Sequence, residues 1–220
     1  LRWPGDRPRH REVPPMAGPA AFWSRRAARV TMSYVLIVGP PAVGKATVAR
    51  EVARLTGFRL VPNTLTAEML LDVFRRSERP FSRLHVEFQQ RILEEAAAAG
   101  VSLVSTAAWA FNEELDWAIS RSRFEAVRIH GGKTFIAELE APFVTRLVRN
   151  HFPDRVRAKP NQQATLTDDV MREMEAKYRL SSDSGELDEF GPYLRIDTTR
   201  VSAGEAARLI VAGFGLPLTG

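Results

Sequence analysis

The segment Gly39-Pro40-Pro41-Ala42-Val43-Gly44-Lys45-Ala46-Thr47 follows the apolar run Tyr34-Val35-Leu36-Ile37-Val38 and opens a helical pattern. Strand, glycine-framed loop, lysine and helix, in that order, leave little freedom of fold. An apolar strand of this kind needs cover on both faces. The loop after it curls successive backbone N–H groups around an anion, and the helix N-terminus adds its partial positive charge. Gly39 and Gly44 permit backbone angles and close approaches that a Cβ would block. Lys45 places a point charge on the outer phosphates of a nucleoside triphosphate. The spacing is G-x-x-x-x-G-K, so Gly39, Pro40, Ala42, Val43, Gly44, Lys45, Ala46 and Thr47 form the expected nucleotide-binding set. One position departs: Ala46 stands where a Ser or Thr hydroxyl ordinarily meets Mg²⁺. Thr47 follows about 100° further round the helix and is expected on the α-phosphate side.

The rest of the chain alternates between the two periods. Helices are expected over 45–55, 65–78, 81–99, 112–129, 141–151, 167–180 and 203–213, the last opened by the capping pair Ser202 and Glu205. Their inward faces read as Val48, Val52 and Leu55; Phe81, Leu84, Phe88, Ile92 and Leu93; and Leu115, Ile119 and Phe124. Further strands are expected over 58–61, 101–105, 133–139 and 193–197. Strands alternating with helices predict an α/β domain with a five-stranded, mostly parallel sheet covered on both faces.

Composition narrows the function. No cysteine is present, which removes disulfides, thiolate zinc sites and thiol nucleophiles and fits a cytoplasmic protein. Four scattered histidines make a zinc site improbable. No apolar run is long enough to span a bilayer. The net charge is +5, and residues 1–31 hold all of it, with seven arginines against Asp6 and Glu12. Residues 32–220 are neutral overall, so the basic balance argues little for nucleic acid as the domain's partner. The five prolines of 1–31 preclude a long helix, and the segment is expected to be a disordered Arg/Pro-rich tail before a domain over 32–220. Ser24-Arg25-Arg26 superficially resembles a twin-arginine export signal, but the apolar stretch after it runs directly into the phosphate loop.

From Met32 to about Val211 the chain resembles P-loop phosphotransferases of the shikimate kinase and nucleoside monophosphate kinase type. The likeness rests on the G-P-P-A-V-G-K loop, the element order, a basic interval and the final strand and loop. It is close to small bacterial kinase-like proteins with that loop, and more distant from chloramphenicol phosphotransferase-like enzymes. The resemblance implies a three-layer P-loop NTPase sandwich, ATP with Mg²⁺, and a small-molecule hydroxyl or phosphate as acceptor. It implies a lid at about 150–166, with Arg146, Arg149, Arg155, Arg157 and Lys159 in and beside it. Lys45, Arg149 and Arg155 are then the expected catalytic cations, placed where phosphoryl transfer spreads negative charge. Thr198 and Thr199 match the adenine side, and Asn63 and Trp109 the acceptor side.

Departures from the family pattern leave the metal ligands and the base unknown. The second strand ends in Val61-Pro62-Asn63-Thr64, and Asn63 cannot act as a carboxylate base. The third ends in Ser105-Thr106 without an aspartate. Glu113, Glu114 and Asp116 lie near a helix start, where acidic residues ordinarily complement the dipole. His85 faces either the acceptor cleft or structure and solvent. Two other functions stay open: a non-catalytic ATP- or GTP-binding switch, and nucleic-acid association through the arginine tail.

Overall fold

In the computed structural model, which describes residues 31–153 and 166–219, the apolar run becomes β1 (Ser33–Val38) at the centre of a sheet. The chain continues through α1 (Lys45–Thr56), β2 (Arg59–Pro62), α2 (Asn63–Leu71), α3 (Arg79–Ala98), β3 (Leu103–Ala107) and α4 (Glu114–Arg128). It then forms β4 (Lys133–Glu140), α5 (Phe143–Asn150), α6 (Asp168–Lys177), a 3-10 turn at Asp188–Phe190, β5 (Tyr193–Asp197) and α7 (Ala203–Gly213). The strand order is β2-β3-β1-β4-β5, and every neighbouring pair is parallel. The expected α/β sandwich is therefore present, with its sheet wholly parallel.

Val35, Leu36, Ile37 and Val38 are 0% exposed. Val35 and Ile37 pack with Val48 and Val52 of α1 and Ala206 and Ile210 of α7. Tyr34, Leu36 and Val38 pack on the other face with Leu93 of α3 and Phe124 and Val127 of α4. Each such apolar side chain contributes about 1.5–3 kcal/mol on burial. Val38 pairs with Ala107 and with Glu138, so β1, β3 and β4 end near one edge. The loops leaving that edge surround the position where open α/β sheets bind ligands.

Several local expectations change. The helix expected over 65–78 is α2, which begins at Asn63 and stops at Leu71. Pro80 does not precede α3 but lies in its first turn, where a missing N–H costs nothing. Along α3 the inward stripe runs Phe81, His85, Gln89, Leu93, Ala97, while Phe88 and Ile92 are exposed. Leu115 is 69% exposed because it lies about 180° round α4 from buried Phe124. The capping box of Ser202 and Glu205 forms with both hydrogen bonds. The tail expected over 1–31 lies, but for Thr31, outside the described residues, as do residues 154–165 of the lid expected at about 150–166.

Candidate active site

The phosphate loop is shaped by left-handed residues: φ is 137° at Gly39, 62° at Ala42 and 107° at Gly44. A Cβ on Gly39 would stand 2.2 Å from the carbonyl oxygen of Leu139, so β4 presses against the loop and only glycine fits. Ala42 holds its left-handed angle despite its Cβ, a strain on the order of 1–2 kcal/mol. Such turns aim successive amides inward and form a concave anion site. α1 starts without a side-chain cap and without an acidic residue in its first turn. A helix N-terminus of this kind favours an anion through its dipole, while Thr47 N donates back to Gly44 O at 3.0 Å. Lys45 Nζ folds back and donates to the carbonyl oxygens of Gly39 (2.6 Å) and Pro40 (2.7 Å).

A cleft of about 720 Å³ opens over this loop. Pro41 to Val48 form its floor. Toward β5 it is walled by Thr198, Val201, Ser202 and Ala203, and α5, α6 and their flanks add Arg149, Phe152, Val170 and Met174. Arg149 bridges these parts. Its guanidinium donates to Thr198 O (2.7 Å) and Oγ1 (3.1 Å) and to Val43 O (3.4 Å). Buried Thr198 also fixes the turn after β5, its N–H donating to Glu140 O at 2.9 Å.

Toward β2 the wall is Pro62, Asn63, Thr64, Ala67, Arg76, His85, Thr106 and Ala108. His85 stacks on Phe81 with ring centroids 5.7 Å apart, and its Nδ1 lies 2.9 Å from Thr66 Oγ1. Arg123 donates to Gln89 Oε1 (2.6 Å), which turns Gln89 Nε2 toward Thr66 Oγ1 (3.2 Å) and His85 Nε2 (3.4 Å). That orientation assigns the proton of His85 to Nδ1, with Thr66 donating onward to Asn63 O at 3.2 Å. Burial, then the charges of Arg123 and Arg76, push the His85 pKa down to about 4, so the ring is neutral at ordinary pH. Arg76 lies over the Phe81 ring at 5.3 Å. Burial lowers its pKa, with Glu68 opposing.

The AAA domain family matches residues 35–181. The chain belongs to that family. No curated protein matches this AAA domain significantly in sequence. Among solved structures it is similar to a candidate kinase from Chloroflexus aurantiacus, with a TM-score of 0.62 and 17% identity over 83% of this chain and 98% of that one. The adenylylsulfate (APS) kinase of Mycobacterium tuberculosis, in complex with AMPPNP and APS, gives 0.55 and 16% over 84% and 98%. A gluconokinase of Sinorhizobium meliloti gives 0.51 and 12% over 86% and 94%. At these identities the likeness establishes the fold of P-loop kinases.

Not every expected residue of the AAA domain reaches the cleft. Ala42 through Thr47, Asn63, Arg149 and Thr198 line it, and Gly39 and Pro40 support the loop through their carbonyls. Arg155 lies outside the described residues. Trp109, expected on the acceptor side, is 1% exposed and packed against Phe111, Trp117 and Phe190. β3 runs two residues further than expected, and the period of two past it sends Thr106 and Ala108 to the cleft but Ala107 and Trp109 to the core. Thr199 turns away from the cleft to bond Asp197 through its N–H (2.7 Å) and hydroxyl (2.5 Å). Arg146 is 3% exposed and pairs with Glu175 at 2.6 Å, tying α5 to α6 rather than reaching the cleft. Arg76 gave no signal in the sequence, whereas His85 stands there as a lone helix histidine facing either the acceptor cleft or structure and solvent.

P-loop kinases generally bind ATP with Mg²⁺, and the residues here do not fit a metal held by the protein. No Asp or Glu lines the cleft among the described residues, and Ala46 brings no hydroxyl. Asp116 is engaged by the amide of Ala110 at 2.8 Å. No group of three or more His, Asp or Glu able to hold a metal occurs among the described residues. No helix among them is long and apolar enough to cross a membrane.

Proposed function

We propose that this AAA domain is an ATP-dependent phosphotransferase acting on a hydroxyl or phosphate of a small molecule. The observation that carries the reading is the continuity of the cleft, in which the phosphate loop lies between the turn after β5 and the α2–α3 wall. One cavity can thereby hold a nucleotide and an acceptor with the transferring group between them. The loop amides and Lys45 hold the phosphates, and Arg149 closes the nucleotide side. Asn63, Thr64 and His85 face the acceptor. Phosphoryl transfer depends mainly on positioning and electrostatics, so the reading does not require the aspartate missing at Asn63.

Calorimetry with ATP and an ADP-release screen across small-molecule hydroxyls and monophosphates tests the reading. Lys45→Ala is expected to lower nucleotide affinity or turnover at least tenfold while the fold, followed by circular dichroism, is unchanged. Undiminished turnover in that variant would overturn it. A second reading, a nucleotide-binding switch without catalysis, is favoured by the lack of a carboxylate among the described residues that line the cleft. ATP binding without ADP release for any acceptor selects it.

A further inference from the structure

We infer that the outer edge of β5 is a dimerisation surface, on which a second copy of this chain adds its own β5 antiparallel about a twofold axis at Ile196. The main chain prepares that edge. β5 ends the sheet, and among the described residues no strand pairs with its outer side. Its inner side bonds β4 through even-numbered residues: Ile136 N donates to Pro192 O at 3.0 Å, and Thr198 N to Glu140 O at 2.9 Å. Alternation along the strand then turns the N–H and C=O groups of Tyr193, Arg195 and Asp197 outward, where they meet no main-chain partner among the described residues. The opposite edge is less suited to such addition. β2 is one residue shorter and ends in Pro62, which has no N–H to give, whereas β5 carries no proline.

Charge complementarity fixes the register and the occupant. With the axis at Ile196, Arg195 stands opposite Asp197 of the second copy, and the same pair recurs on the other side of the axis. Both residues belong to the outward series, so each pair exchanges both main-chain hydrogen bonds. Axes at Arg195 or at Asp197 also match the bonding pattern but set like charges face to face, and an axis at Leu194 leaves Asp197 opposite Gly191. Both charged side chains are exposed and have atoms to spare among the described residues. Arg195 bonds Tyr193 through Nε and Glu138 and Ser182 through Nη2, which leaves Nη1. Asp197 accepts from Thr199 with Oδ1, which leaves Oδ2. On the α7 side of the sheet an apolar groove follows the same edge, lined by Leu194, Ile196, Val201, Leu209 and Ala212. Leu209 is 50% exposed there. The twofold axis sets the two grooves side by side on one face of a continuous sheet, so each copy gives the other apolar cover. A surface that complements itself in this way suits an isologous dimer.

Sedimentation equilibrium of the full chain, from micromolar to millimolar concentration, is expected to show a monomer in exchange with a dimer. Asp197→Lys sets two cations opposite each other, and Leu209→Asp puts a charge into the groove. Each change counts twice across the axis and is expected to weaken the dimer about tenfold, with the circular dichroism spectrum unchanged. Leu209→Asp alters only an exposed side chain, so it decides the matter should Asp197→Lys fold poorly. The chain has no cysteine, which allows the register to be read by crosslinking. Opposed residues at the axis have Cα atoms about 4.5 Å apart, within disulfide reach, whereas the two copies of Leu194 lie roughly 14 Å apart. Air oxidation is expected to give a covalent dimer of Ile196→Cys and none of Leu194→Cys. A full chain that stays monomeric at every concentration overturns the proposal, whether the edge is bare or taken by residues 1–31 or another protein. A dimer that neither Asp197→Lys nor Leu209→Asp weakens, or that crosslinks at position 194 and not at 196, belongs to another surface or register and overturns it equally.

Discussion

At Gly39 sequence and structure meet most tightly, because the Leu139 carbonyl leaves no room for a Cβ and φ is 137°. Gly39→Ala is expected to cost on the order of 2–4 kcal/mol in urea denaturation, from overpacking added to backbone strain. Ala46→Ser restores the hydroxyl that G-x-x-x-x-G-K loops ordinarily carry. It is expected to leave turnover unchanged or raise it, with a stronger dependence on added Mg²⁺, read by titrating the metal at fixed ATP. His85 carries a pH prediction. The unfolded chain takes up its proton near pH 6.5, whereas the folded one does so only near pH 4. Its stabilising effect is therefore complete above pH 6.5 and lost as pH falls toward 4, by up to about 3 kcal/mol. Urea midpoints across that window are expected to fall less steeply for His85→Gln than for wild type.

Among the elements, β4 carries a group that its apolar pattern hides. Glu138 is 0% exposed, in phase with Ile136 on the α3–α4 side of the sheet. Its carboxylate accepts from Ser182 N (3.0 Å), Ser182 Oγ (2.5 Å), Tyr193 OH (2.6 Å) and Arg195 (3.3 Å). The network ties the segment returning from α6 to the two strands beside it, and so positions α6 over the cleft. Glu138→Ala leaves those donors buried without an acceptor and is expected to destabilise by about 3–5 kcal/mol. Glu138→Gln, which keeps an acceptor oxygen, is expected to lose less, and the pair of denaturation curves distinguishes charge from shape. The helices and strands themselves were legible because their periods are local. Pro80 misled only in being read as a stop where it serves as a start.

For the whole molecule, charge separates from fold. Residues 32–220 are neutral overall, yet the cleft gathers four cations and, among the described residues, no carboxylate. The concave cationic surface is expected to make ATP affinity fall severalfold between about 50 and 500 mM salt, read by calorimetry, because screening acts on the free site and its anionic ligand. Met32 is 2% exposed and its carbonyl accepts from Lys133 N at 2.8 Å, so the sheet is complete from that residue. A chain starting at Met32 is expected to keep its melting temperature and turnover. Loss of either would assign residues 1–31 a part in the fold or the site.

The sequence by itself determined the phosphate loop, the alternating elements and the α/β class, because backbone angles, caps and periodicity act over a few residues. Only the tertiary structure decided the strand order, the turning of Trp109 into the core, and the meeting of Arg76 and His85 with the loop. Those outcomes depend on contacts such as Arg149 with Val43 and Thr198 with Val43, which join residues 106 and 155 positions apart. No local pattern encodes such a pairing. It follows from which faces remain to be buried once the sheet has closed around β1.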